Sequence, residues 1–413
     1  MNRAQSCFLK ALQKAIQGKK YDVFVDNEET LRWILHTASI QKVLPMVCEA
    51  IYESGVTKKY FDVFSAYQKK AVKEVVSQTV RTAQFLDLYR YLGSRGLIPV
   101  LVKGLAVRAL YPRENLRMSV DEDLLIAPHQ KYLYHEALLD YGMCQMDPEQ
   151  KIEKDSEISY KDPESGLYIE VHQYLFPPES EVYGDLNRFF EKIKPVKQDY
   201  KGQELLTLDP TDHLFFLICH SFKHFLHSGF GIRQICDLAL FSDAYADEID
   251  WDRIWLQCHQ INGERFVWAL YRIGNKYLMP DNRYEFYLEK WDIENVDEEP
   301  LLLDVLESGV HGASEMTRLH SSNITLNAVA NHKNNKRAKA SVWGSVFLPL
   351  EKMKVRYKYL ERAPFFLPAA WIQRVYRYGR EILAERKGTS SVMNSVSLGR
   401  QRVELLRYYG IIK

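Results

Sequence analysis

The chain has 413 residues, 46% of them hydrophobic and 13% aromatic, with a formal net charge of +1. That composition fills a large core and excludes a disordered chain, and the small net charge excludes a global field steering it to nucleic acid or membrane. At roughly 100–200 residues per domain the length points to two or three domains.

The N-terminus, MNRAQSCFLKALQKAIQGKK, is amphipathic and charged throughout, without the uninterrupted apolar stretch of a signal peptide. Apolar runs elsewhere, such as LFFLIC and FFLPAAWI, are too short to span a bilayer. Six cysteines (Cys7, Cys48, Cys144, Cys219, Cys236, Cys258) form no CxxC pair. This argues against a zinc ribbon or a disulfide framework and for buried reduced thiols in a cytoplasmic protein.

Residues 1–95 are expected to be a helical region. Apolar residues recur at three- and four-residue spacing through LRWILHTASIQKVLPMVCEAIYESG, and Lys58 to Arg95 reads as one long helix. Its apolar stripe is expected through Phe61, Phe64, Val72, Val75, Val80 and Phe85. Residues 96–208 change texture into a small α+β core. LIPVLVKG is a buried strand, Gly104 to Tyr111 a short helix stopped by Pro112, and MSVDEDLLIAP a second strand. Pro128 opens a helix that Gly142 ends. ISYKD and GLYIEVHQYLF are strands joined by a turn at Pro163–Gly166, and VKQDYKGQELLTL adds two more around Lys201-Gly202.

From Asp209-Pro210, an N-cap followed by proline, the chain turns helical again through segments 210–228, 231–246, 250–262 and 264–278. Residues 209–280 form a helical substrate-side domain, an acidic loop follows around Asp281–Pro300, and 281–413 is a helical, basic region. Residues 331–388 carry fourteen Lys/Arg against four Glu, a net charge of +10, interleaved with aromatics. This segment could meet nucleic acid or an anionic membrane surface, or be a plain helix pair with a solvated basic face.

Chemistry concentrates at Asp121-Glu122-Asp123-Leu124-Leu125-Ile126. Acids at i and i+2 on a strand share a face, so Asp121 and Asp123 stand side by side with Glu122 opposite. Adjacent carboxylates repel unless a cation lies between them, and hard oxygen ligands suit Mg²⁺. Glu170, alternating with Ile169 and Val171, is the natural third ligand, because an unpaired acid inside such a strand is costly to bury. Two metals so held polarise a triphosphate and stabilise its leaving group. Lys103-Gly104 lies upstream where strand becomes helix and could approach phosphate, with Lys103 and Arg117 adding charge-assisted contacts. An Asp-x-Asp pair alone reads equally as a solvated strand end.

KGLAVRALYPRENLRMSVDEDLLIAP resembles the bacterial uncharacterised nucleotidyltransferase-like family of the DNA polymerase β superfamily, which places a Lys-Gly turn, a Tyr-Pro, an Arg and an Asp-x-Asp strand in this order. Further matches are Val43-Leu44-Pro45, Glu170 with His172, the series His220, His224, Arg233 and Asp237, and Asp250-Trp251, so the likeness covers roughly residues 30 to 265. The resemblance implies a polymerase-β-like mixed-sheet core, with Asp121, Asp123 and Glu170 binding two Mg²⁺ (or Mn²⁺) and an NTP as substrate. The acceptor is left open. Two departures stand out. Leu105 follows Gly104 where the superfamily has Gly or Ser. Glu122 stands where an apolar residue is usual, which suggests an edge or solvent-facing position.

His213, His220, His224 and His227 fall on one side of a helix. His220 and His224 have zinc-ligand spacing, but lining of the cleft, together with His172, is favoured over a metal site, with partly buried or surface histidines as the plain alternative. Arg233 and Asp237, at i and i+4, read as an intrahelical ion pair, or as contacts to the base or acceptor. The expected function is Mg²⁺-dependent transfer of a nucleoside monophosphate; the alternative is a degenerate nucleotide- or partner-binding module of the same fold.

Overall fold

The computed structural model describes residues 1–413 apart from 228, 292, 294, 309–315, 334–349, 355, 356 and 385–391. Most of the basic linker near residue 335 thus lies outside the described residues.

Three helices open the chain. Helix α1 (Arg3–Ile16) is started by a capping box between Asn2 and Gln5, α2 (Glu28–Ile40) by the Asn27 side chain, and α3 (Leu44–Ile51) carries Pro45 in its first turn. After a short α4 (Gly55–Lys59), α5 runs from Phe61 to Ser94. Its expected stripe is corrected, because Phe61, Val72 and Val80 are exposed. The buried side of α5 instead changes partner along its length. Val63, Phe64 and Ala71 join one apolar cluster, while Phe85, Leu88, Tyr89 and Leu92 join another. Between them sit buried Gln78 and Thr82, which serve a polar network rather than a core.

The sheet has seven strands: β1 (Val100–Leu101), β2 (Glu122–Leu125), β3 (Cys144–Gln145), β4 (Glu157–Lys161), β5 (Tyr168–His172), β6 (Val196–Tyr200) and β7 (Gln203–Thr207). Their order is β3-β4-β5-β2-β1-β7-β6. The sheet is mixed, since β2 runs parallel to β5 and β1 to β7, while the other neighbours are antiparallel. Short α6 (Leu105–Arg108) follows β1, and α7 (Lys131–Asp140) follows β2. The β6–β7 hairpin turns at Lys201-Gly202, both at positive φ. One sheet face, through Leu101, Leu124, Ile158, Ile169 and Leu205, packs on α5 and on Tyr134, Ala137 and Leu138 of α7.

Helices α8 (Pro210–His227), α9 (Ile232–Ala244), α10 (Trp251–Gln260) and α11 (Glu264–Ile273) follow as the periodicity expects, and the last ends in a π-turn at Gly274–Leu278. They share a single apolar cluster with α1–α3 and with the C-terminal residues Val403, Leu406, Tyr409, Ile411 and Ile412. Gln41, buried at the end of α2, ties these parts by donating to the Val305 and Leu306 carbonyls and accepting from the Ile232 N–H. The architecture is α+β, a mixed seven-stranded sheet with many flanking helices. Cys48, Cys219, Cys236 and Cys258 are buried free thiols, whereas Cys144 is exposed and Cys7 half-buried. Among the described residues no helix is long and apolar enough to cross a membrane.

Candidate active site

Register brings the acids together. In the parallel β2–β5 pair, Asp123 lies opposite Glu170 and Leu125 opposite His172; in the antiparallel β4–β5 pair, Glu157 lies opposite His172. Paired residues share a face, so Asp123, Glu170, His172 and Glu157 all point away from the α5 side. Asp121, two residues before Asp123, joins them just outside the strand. Helix α8 lays His220, Lys223 and His224 over this face, and the first turn of α9 adds Arg233 and Gln234. The result is a cleft of about 410 Å³ with an acidic sheet floor and a basic helical wall. That volume falls in the range of small-molecule and cofactor sites.

His172 is the hub of the floor. Its Nε2 lies 3.2 Å from Asp123 Oδ1 and 3.6 Å from Glu170 Oε2, and its Nδ1 lies 3.4 Å from Glu157 Oε2. Burial pushes the imidazole pKa down, but hydrogen bonds to Asp123 and Glu170 win and raise it to about 9. The Lys103 ammonium sits 2.7 Å from Asp123 Oδ2 and 3.6 Å from Asp121 Oδ2. Burial raises the Asp123 carboxyl pKa, yet the Lys103 charge and His172 hold it well below the usual range. Glu170 moves the other way, raised by burial and by the Asp123 and Asp121 charges against the His172 bond. Lys103 therefore lies against the carboxylates, as their counter-ion, in this structure.

Among the described residues, Asp123, Glu170 and His172 form the one group of three whose ligand atoms all lie within 4.8 Å of one another. Asp121 stands outside it. Two carboxylates and an imidazole are compatible with a divalent cation, and His172 stands in this cluster where Asp121 was expected.

The Gly104 turn is built differently from a phosphate cradle. Gly104 adopts φ +59°, and a Cβ there would fall 1.8 Å from Glu122 Oε2. That carboxylate accepts from the Leu105 N–H at 2.9 Å and pairs with Arg108, which is fully buried and also donates to Thr82. The expectation of an edge or solvent-facing Glu122 is corrected: the residue is 3% exposed. Helices α5 and α6 cover that face, and burial is tolerated because Arg108 supplies the opposite charge.

Arg117 lies below the cleft and is not among its lining residues. Its Nε is 3.0 Å and its Nη2 2.5 Å from the two oxygens of Asp237, and Tyr111 donates to the same carboxylate at 2.6 Å. The intrahelical pair expected between Arg233 and Asp237 is replaced by this pair across elements, and Arg233 instead donates to the Met118 carbonyl. The histidine row also divides. His213 is buried against Phe241 beside Thr207, whereas His220 and His224 reach the cleft with their Nε2 atoms 3.2 Å apart. Burial, then Lys103 and His224, push the His220 pKa well down. Among the described residues no third ligand joins this pair into a metal group.

Sequence reasoning passed over Glu157, Lys223, Gln234 and Arg108. The first three read as ordinary solvated polar residues on a strand or helix. Nothing short of the β4–β5 register and the α8–α9 packing places them at the cleft.

The profile of a family described as uncharacterised nucleotidyltransferase matches residues 27–278, and the chain belongs to that family. The match takes in every residue of the cleft. No curated protein and no solved structure matches the chain.

Proposed function

We propose that this member of the uncharacterised nucleotidyltransferase family moves a nucleoside monophosphate from an NTP to an acceptor hydroxyl or phosphate oxygen in the cleft between the sheet and α8–α9. The acceptor oxygen bonds to the α-phosphorus, the bond from that phosphorus to the bridging oxygen of the β-phosphate breaks, and pyrophosphate leaves. The observation that carries the reading is the convergence of Asp123, Glu170 and His172 opposite a wall of nitrogen donors. Asp123, Glu170 and His172 would hold a divalent cation, with Asp121 at its margin. Such a cation neutralises phosphate charge and lowers the cost of the developing alkoxide. Glu170 is the most exposed of the three side chains and receives the acceptor proton. Asp123, held ionised by Lys103 and His172, is the poorer proton acceptor of the two carboxylates.

A second reading, a binding module without turnover, draws on one observation: Glu122 takes the Leu105 N–H that a phosphate would otherwise use. Incubation with each α-labelled NTP and Mg²⁺ or Mn²⁺ separates the two. Transfer predicts pyrophosphate release that Asp123→Asn and Glu170→Gln abolish. Metal-dependent NTP binding without pyrophosphate release, across a panel of sugar, peptide and RNA acceptors, would favour the module.

A further inference from the structure

Beneath the cleft Arg117 takes the Asp237 carboxylate, and Arg233, which lines the cleft, has no ion pair with it. Both oxygens of Asp237 are engaged, by Arg117 and by Tyr111. Arg233, 7% exposed, has only the Met118 carbonyl for Nη1, and its Nε has no hydrogen-bond partner among the described residues. Burial and the Arg117 charge push its pKa down to about 10, against the pull of Asp237, Tyr111 and Asp121. It therefore stays charged at neutral pH. A buried guanidinium with an orphaned donor and no carboxylate bound to it is costly unless an anion completes it. Lys223, one turn from His220 on α8, lines the same cleft and has no carboxylate within ion-pair distance among the described residues.

The opposite end of the cleft offers phosphate little. The Leu105 N–H is bonded to Glu122, and the Lys103 ammonium lies between Asp121 and Asp123. Guanidinium and ammonium groups donate and cannot accept, so Arg233 and Lys223 within the helical wall are complementary to an anion alone.

We infer that the polyphosphate arm of the nucleotide lies against the helical wall, its oxygens accepting from Arg233 and Lys223, and not on the Lys103-Gly104 turn. This rests on the cleft being a nucleotidyltransferase site. The Arg233 Nε–H then gains the partner it lacks, and the pyrophosphate leaves along α8 and α9, away from the acidic floor.

Calorimetric titration of magnesium pyrophosphate, and of a non-hydrolysable NTP with Mg²⁺, tests this on the full chain. The wild type is expected to bind both. Losing a charge-assisted contact should weaken binding of each ligand about tenfold or more in Lys223→Gln and in Arg233→Gln. Circular dichroism checks that the buried Arg233 variant folds; if it does not, Lys223→Gln, half-exposed and without ion pairs to lose, decides. Wild-type binding with both ligands held equally well by Lys223→Gln overturns the inference, assigns the basic wall to the acceptor, and leaves the nucleotidyltransferase reading intact. Failure of the wild type to bind either ligand overturns that reading, and the inference with it.

Discussion

Replacing Arg117 with leucine distinguishes a buried structural cation from a phosphate ligand. Arg117 is 1% exposed and closes two contacts on Asp237, itself 4% exposed. Removing one partner of such a pair leaves the other charge buried, with Tyr111 as its remaining close donor, and costs about 3–5 kcal/mol. An unfolding entropy of about 2.1 cal/mol/K per residue over 413 residues gives roughly 0.9 kcal/mol/K. The melting temperature should therefore drop by roughly 3–6 °C, read by scanning calorimetry. The double variant Arg117→Leu/Asp237→Leu leaves no unpaired charge and should recover most of the loss. If Arg117→Leu melted with the wild type and instead lost NTP affinity, the buried-pair account would be wrong and the phosphate role expected from sequence would be restored.

Gly104→Ala should destabilise by at least about 3 kcal/mol, since the new Cβ meets the Glu122 carboxylate in a strained backbone conformation; a wild-type melting curve would mean that Glu122 does not lie under the turn. Chelation followed by Mn²⁺ titration, read by electron paramagnetic resonance, should show bound metal in the wild type and at least about tenfold weaker binding in Asp123→Asn and His172→Ala; unchanged Mn²⁺ binding in both would remove the proposed ligand set. Burial lowers the His213 pKa to about 4, despite Val102 and Asp209. The unfolded chain takes up that proton near pH 6.5, so this stability contribution is full above pH 6.5 and falls by roughly 3 kcal/mol as pH drops to 4. Urea denaturation of His213→Leu should lack that component of the acid slope, and equal slopes in variant and wild type would contradict the burial account.

Much of this architecture was legible in the residues. Alternation put Asp121 and Asp123 on one face and Glu122 on the other, and it singled out Glu170 before any register was known. The register itself was not legible, and it is register that sets His172 between Asp123, Glu170 and Glu157. Glu122 was misread for a related reason. Its counter-charge, Arg108, sits in a four-residue helix after a different strand, and the covering helix α5 comes from far earlier in the chain. The α5 stripe failed because one helix serves two apolar clusters and a polar network, so no single periodic face describes it. The Arg233–Asp237 spacing fitted an intrahelical pair, but spacing cannot see Arg117 arriving from the loop before β2 with both of its contacts aimed at Asp237.

The most direct test of the central claim is calorimetric binding of the four common NTPs with and without Mg²⁺, in the wild type and in Asp123→Asn. The account predicts that at least one NTP binds the wild type only when Mg²⁺ is present, and that Asp123→Asn, folded by circular dichroism, loses this binding at least about tenfold. Binding of equal strength in Asp123→Asn, or in the wild type after complete removal of divalent metal, would contradict it.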